Sequence, residues 1–246
     1  MVFHLDRFEL HKDAFHGWGW NRLYLPSPTL KKNTTIVPVI RLKLIYPEHL
    51  DFSRIRGHPT VLITGDGDTL PFDVKEFESW EIPHDLYAIN RSLIFHERQV
   101  DHWGAVDLEE TIWFTQNVNE KVEPNKHILR HTIGEIPGGV DICWEMDYPW
   151  KNENQKLIFA GNSGYFGVLS AIHMGYEKIV IAGMPLNTGP HWYENKKDYI
   201  GPNWSGATYR NWMDFKMKVP EAEKVRSMSG YSAFILGQAT KEWCND

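Results

Sequence analysis

Apolar residues in this chain come in short runs separated by turn-forming residues. Residues 61–64 (VLIT), 86–90 (LYAIN), 111–115 (TIWFT) and 127–131 (HILRH) are such runs, spaced so that helices or loops fit between them. Short buried strands at this spacing predict a parallel sheet. The clearest unit is LIFAGNSGYFGVLSAIHMGYEKIVIAGMPL, residues 157–186. Asn162 or Ser163 can cap a helix from about Gly164 to Met174, Gly175 suits the left-handed position that ends it, and residues 178–182 return as a buried strand. Residues 73–80 read as a helical or extended turn, 206–218 as a helix, 224–227 as a last strand and 234–243 as a closing helix. Near the start, Leu/Lys alternation in residues 35–46 (TIVPVIRLKLIY) predicts an edge strand with a break at Pro38. Residues 1–35, rich in His, Trp, Gly and Pro, have no clear period. No repeat, low-complexity tract or dividing linker interrupts the chain. The pattern predicts a doubly wound α/β fold with a mainly parallel sheet: one domain over residues 57–246, preceded by an irregular N-terminal arm and edge strand over residues 1–56.

Composition narrows the classes. The chain has 246 residues, 42% hydrophobic and 24% charged, which is globular composition. A net charge of −6 lacks the basic field of a general nucleic-acid binder, so no stable nucleic-acid complex is expected. Cys143 and Cys244 are too few for a disulfide framework or a thiolate metal site, and they fit a reducing compartment. Charges run through the N-terminus and nowhere do about 18 apolar residues follow one another, so the expectation is a soluble, cytoplasmic protein without a transmembrane segment. The glycosylation patterns at Asn33 and Asn203 are then coincidental. Eleven tryptophans suit either sugar-binding faces or core and rim packing, and the second is the commoner use. No H-E-x-x-H or Cys/His set predicts a structural zinc, and the histidines His4, His11, His16, His96 and His102 form no spaced ligand pair. Oligomeric state is open, since no interface stripe separates from the core pattern.

The candidate chemistry lies at strand ends. In VLITGDGDTL, Gly65 and Gly67 follow a strand, but the third glycine of a dinucleotide loop is replaced by Leu70, and no Lys-Ser or Lys-Thr pair makes a Walker loop. Two glycines permit close approach of a ligand, with Asp66, Asp68 and Thr69 as polar neighbours; the acids suit a metal ion, a ribose hydroxyl or a nucleobase amine better than a bare phosphate. A plain turn is the alternative. Asn90, ending the next strand in INRS, can read a base or ribose or cap a helix. Asn162, Ser163 and Gly164 at a helix start form a better anion cradle, where backbone N–H groups and the helix dipole point the same way.

Together, VLITGDGDTL, YAINRS, NSGYFGVLSAIHMGYEKIVIAGMPL and VRSMSGYSAF resemble a superfamily of bacterial lipooligosaccharide-type sialyltransferases, motility accessory glycosyltransferases and archaeal 6-hydroxymethylpterin diphosphokinases. The likeness spans about residues 60–236. It implies a Rossmann-like fold binding a nucleotide at these strand ends, CMP-sugar in the sialyltransferases and ATP in the pterin enzymes. By that resemblance Gly65, Asp66, Gly67, Asp68 and Asn90 contact the nucleotide, while Asn162, Ser163 and Gly164 lie near its phosphate or sugar. Departures are specific. Asp68-Thr69 replaces Pro-Ser, Pro185 stands where the family has Asp, Leu186 stands where the sialyltransferases have Tyr, and Pro202 stands where they have a base histidine.

Residues 187–204 supply His191, Tyr193 and Tyr199 as catalytic candidates: His191 as general base, the tyrosines as donors to a leaving phosphate. The leading expectation is a glycosyltransferase moving a sugar from a nucleotide-sugar donor, CMP-linked in the sialyltransferase-like case, to an unknown acceptor hydroxyl, with no required cofactor. The alternatives are an ATP-using diphosphokinase-like transferase, which needs magnesium and Asp66 or Asp68, and a nucleotide- or glycan-binding protein without catalysis.

Overall fold

The computed structural model describes residues 41–46, 51–107, 110, 113–114, 128–133, 142–147, 163–187, 189–194 and 205–246. Eight strands form one sheet: β1 (Arg41–Tyr46), β2 (Thr60–Thr64), β3 (Asp85–Ile89), β4 (His102–Ala105), β5 (Leu129–Ile133), β6 (Ile142–Asp147), β7 (Lys178–Ala182) and β8 (Val225–Ser227). Their order is β1-β6-β5-β4-β3-β2-β7-β8. All neighbours are parallel except β1, which pairs antiparallel with β6 at the edge. The helices are α1 (Leu70–Glu78), α2 (Ser163–His173), α3 (Ser205–Lys218), α4 (Gly230–Leu236) and α5 (Lys241–Asn245). This is the doubly wound, mainly parallel α/β fold that the pattern predicts.

The strands are apolar on both sides because both sides are covered. Val61, Ile63, Tyr87, Ile89, Ile179 and Ile181 belong to the core shared with α2 and α3, where Phe166, Val168, Trp212 and Phe215 meet them. Leu62, Leu86, Ala88, Val180 and Ala182 belong to the core of the other face, with Leu70, Val74 and Phe77 of α1 and Met228 and Cys244 near the C-terminus. Helix α2 is buried from Ser163 through Ala171, as a helix apolar all round should be. Trp103 and Trp212 are wholly buried and Trp80, Trp113, Trp192 and Trp243 pack at core margins, so these rings serve packing.

Several boundaries differ from the sequence reading. Of residues 111–115, Trp113 and Phe114 lie within the described residues and are helical, not extended; Phe114 stacks on Trp103 of β4, centroids 4.1 Å apart. β4, HWGA, lies outside the predicted strands because it includes a histidine and a glycine and makes no apolar run. The run at 127–131 becomes β5 two residues later, and β6 was not anticipated. The closing helix is two short ones, interrupted at Gly237 with φ 98°. Gly175 takes the left-handed φ expected of it, 82°. Of residues 35–46, only β1 lies within the described residues. No helix among the described residues is long and apolar enough to cross a membrane.

Strand order reverses between β2 and β7: β2 leads outward to β3, β4, β5 and β6, while β7 and β8 lie on its other side. A crevice beyond the carboxyl ends of such a pair is where open α/β sheets bind ligands. Here the two ends are tied together by Asp73, in the first turn of α1. Its Oδ2 accepts hydrogen bonds from Gly183 N after β7 (2.9 Å), Thr69 Oγ1 after β2 (2.9 Å) and Ser229 Oγ after β8 (2.7 Å). Asp73→Ala leaves a buried N–H unpaired and is expected to lower stability by about 3 kcal/mol, measured by urea unfolding; a loss under about 1 kcal/mol would show that the loops hold without it.

Candidate functional site

The glycine turn after β2 settles against the loop after β7. Gly65 N donates to Ala182 O (2.9 Å) and Gly67 N to Gly183 O (2.7 Å). A Cβ on Gly67 would lie 2.6 Å from Pro185 Cδ and 2.7 Å from Gly183 O, so this position is glycine because two loops touch there. Gly183, with φ 64°, could not carry a Cβ either, which would sit 2.5 Å from Gly65 O. The N–H groups of Gly65 and Gly67 are therefore engaged within the protein and do not cradle a phosphate.

What the strand ends offer instead is acceptors. The register pairing Thr64 with Ala88 brings residues 66 and 90 level, and Arg91 N donates to Asp66 Oδ2 at 3.3 Å. Asp66 Oδ1 and Asn90 Oδ1 are both shielded from solvent with no hydrogen-bond partner among the described residues. Asn90 has φ 52°, a left-handed conformation that Asn tolerates better than most residues, and its carbonyl accepts from Trp103 Nε1 at 2.9 Å. Burial, reinforced by the Glu110 carboxylate, pushes Asp66 up to about 7. Leu186 after β7 is likewise left-handed, φ 55°.

The downstream loop folds over this turn. His191 forms an antiparallel bridge with Gly67, and Trp192 N donates to Asp66 O at 2.9 Å. His191 Nδ1 lies 3.0 Å from Glu194 Oε2, whose carboxylate also accepts from His191 N at 2.9 Å. Tyr193 stacks on His191, with centroids 5.3 Å apart and planes 10° from parallel. Burial and the nearby Asp66 push the Tyr193 phenol up to about 12.

The structure thus brings Gly65, Asp66, Gly67, Asn90, His191 and Tyr193 together. Asp68 stands at the margin, accepting from Asn187 Nδ2 at 3.4 Å. Ser163 and Gly164 begin α2 near the end of β4; Ser163 is buried and its Oγ accepts from Val106 N at 3.4 Å. Asn162 and Tyr199 lie outside the described residues. No group of three or more His, Cys, Asp or Glu side chains among the described residues is disposed to hold a metal ion.

Residues missed by the sequence reading include Arg91, Glu110 and Glu194. Arg91 Nε lies 3.3 Å from Glu110 Oε2, and its guanidinium carbon is 5.5 Å from the Trp113 ring centroid and 5.9 Å from that of Tyr193. Arg91 was visible beside Asn90 in INRS, but nothing in the sequence places Glu110 or Trp113 against it. Comparisons with family models, curated proteins and solved structures find no match.

Asp66 gives a pH signature. Its folded value, about 7, exceeds the ordinary 3.8, so between these values the folded state holds a proton that the unfolded state has lost. Stability from this group is present at low pH, falls as pH rises from about 4 to about 7 by at most about 1.4 kcal/mol per unit, and is level above. Asp66→Asn should remove that slope and gain on wild type at pH 8. Parallel stability–pH curves for the two proteins would show that Asp66 is ordinary.

Proposed function

We propose that this protein is a glycosyltransferase that binds a nucleotide sugar at the carboxyl ends of β2 and β3 and transfers the sugar to an acceptor hydroxyl. The observation that carries the reading is the pair of buried oxygens, Asp66 Oδ1 and Asn90 Oδ1, that have no hydrogen-bond partner among the described residues and lie at the carboxyl ends of β2 and β3, next to the β2/β7 switch point. Buried acceptors without donors are costly, and a ligand rich in donors relieves that cost. A nucleoside has such donors in its ribose hydroxyls and, for cytosine, adenine or guanine, its exocyclic amine.

The adjoining loop supplies the transfer chemistry. The Glu194 carboxylate, bonded to the His191 backbone N–H, lies 3.0 Å from His191 Nδ1, so that Nε2 is the nitrogen we assign to take the proton of the acceptor hydroxyl. The acceptor oxygen forms the new bond to the anomeric carbon as the sugar–phosphate C–O bond breaks, and the nucleotide leaves with that electron pair. Tyr193, with its phenol raised to about 12, keeps its proton at neutral pH and can donate a hydrogen bond to the leaving phosphate.

Thermal unfolding with CMP, CDP, UDP, GDP, AMP and ATP, each with and without magnesium, tests this. A cognate product nucleotide at about 100 times its dissociation constant should add about 2.7 kcal/mol without metal. That gain should vanish in Asp66→Asn and Asn90→Ala. His191→Gln should keep the nucleotide shift while abolishing turnover of the matching nucleotide sugar. Stabilisation by ATP with magnesium alone would favour a diphosphokinase-like transferase, and no response to any nucleotide would refute nucleotide binding.

A further inference from the structure

Among the described residues at this site, acceptors are plentiful and cations are few. Asp66, Asp68, Asp107, Glu110 and Glu194 lie on the connections that follow the strands, and the cation beside this turn is Arg91; Arg98, on the same connection as Arg91, is taken up by His84 and Glu78 away from it. The Gly65 and Gly67 N–H groups, which would otherwise take a phosphate, are committed to β7. A phosphate bound here has to find its charge partner elsewhere in the site.

Arg91 has the right form for that partner. Its Nε is held by Glu110 at 3.3 Å, its plane is set beside Trp113 and Tyr193, and its Nη groups donate to no described residue. The pair is partly open to water, with side-chain exposures of 39% for Arg91 and 19% for Glu110, so the ion pair is weak enough to exchange. Tyr193, the proposed donor to the leaving phosphate, lies against the same guanidinium.

We propose that Arg91 is the phosphate-binding residue of this site and that Glu110 is its intramolecular competitor: a di- or monophosphate group takes the guanidinium from Glu110. This rests on the nucleotide-sugar reading for its biological ligand, yet it concerns the anion alone. Held by Glu110 when the site is empty, Arg91 stays in place without attracting stray anions firmly. The arrangement discriminates for ligands whose remaining parts satisfy Asp66 and Asn90.

Inorganic pyrophosphate is the probe, titrated calorimetrically into the full chain. Glu110→Gln should tighten binding about three- to tenfold, because it removes a competitor for Arg91. Arg91→Gln should weaken binding at least tenfold, and Arg91→Lys should fall between, having charge without the planar fork. The decisive comparison is Arg91→Gln/Glu110→Gln: if Glu110 acts by holding Arg91, its removal gains nothing in that background. An equal gain with and without Arg91 would mean plain charge repulsion and would overturn the proposal, as would an absence of pyrophosphate binding in both wild type and Glu110→Gln. If Arg91→Gln fails to fold, Arg91→Lys and Glu110→Gln still decide: equal affinities across wild type and both variants overturn it. The two readings fail separately. Pyrophosphate binding without any nucleotide response refutes the nucleotide site only, and nucleotide binding indifferent to Arg91 and Glu110 refutes this inference only.

Discussion

The shape of the strand-end crevice depends on one buried carboxylate. Asp73 accepts from groups following β2, β7 and β8, and it is the one side chain among the described residues that bonds to all three loops, which also touch one another directly through Gly67 and Gly183 and through Tyr231 and Pro185. Its position in the first turn of α1 gives the charge a favourable end of the helix dipole. Because the charge is buried, removing any donor costs more than a surface hydrogen bond would. The contact of Gly67 with Pro185 and Gly183, and of Gly183 with Gly65, follows from loops drawn this close. Glycines that resemble a ligand-binding signature are here the consequence of loop packing.

That packing determines the chemistry left over. With the N–H groups of Gly65 and Gly67 engaged by β7, the turn presents carboxylate and amide oxygens. Asp66 becomes a weak acid because it is buried beside Glu110, and the backbone N–H groups of Arg91 and Ser92 together with the Arg91 charge oppose the effect without cancelling it. A site with these acceptors and, among its described residues, the one cation Arg91 is suited to a ligand that brings donors at one end and negative charge at the other. The order of effects is steric first, then electrostatic: loop contact sets which backbone groups remain, and what remains sets the ligand's polarity.

The fold was legible wherever strands made continuous apolar runs, as in β2, β3 and β7, and wherever a capped apolar helix preceded a glycine, as in α2. It was not legible at β4, whose burial rests on His102 and Gly104: the histidine is hydrogen-bonded to His131 and Tyr176, and the glycine makes room for Tyr87. No single-sequence period reports such partners. In the site, GDG and Asn90 were legible because strand-end glycines and asparagine stand out. The Arg91–Glu110 pair was not, since it joins the end of β3 to a loop beyond β4. The role of the glycines was the opposite of the signature's usual one, because sequence shows that a Cβ is absent without showing what would have met it.

Buried polar side chains at the amino end of the sheet are linked in a chain of hydrogen bonds. At the amino end, His131 Nε2 and His102 Nδ1 lie 3.1 Å apart, His102 Nε2 reaches Tyr176 Oη at 2.9 Å, and Tyr176 donates to Asp85 Oδ2 at 2.6 Å. Tyr176 gives its proton to Asp85 and so accepts from His102, which in turn accepts from His131; one neutral tautomer of each imidazole satisfies the chain. Burial lowers His102 to about 4 and His131 well below its ordinary range, keeping both neutral. A polar network closed on itself rigidifies a core and asks for no ligand. At the carboxyl end, Asp66 Oδ1 and Asn90 Oδ1 are shielded from solvent and have no hydrogen-bond partner among the described residues. Arg56 Nε at the amino end and Trp212 Nε1 in the core also lack a partner among the described residues, so an unpaired atom alone does not mark a site; Asp66 and Asn90 differ in being two acceptors level with one another at adjacent strand ends, and under the proposed reading a ligand's donors complete them.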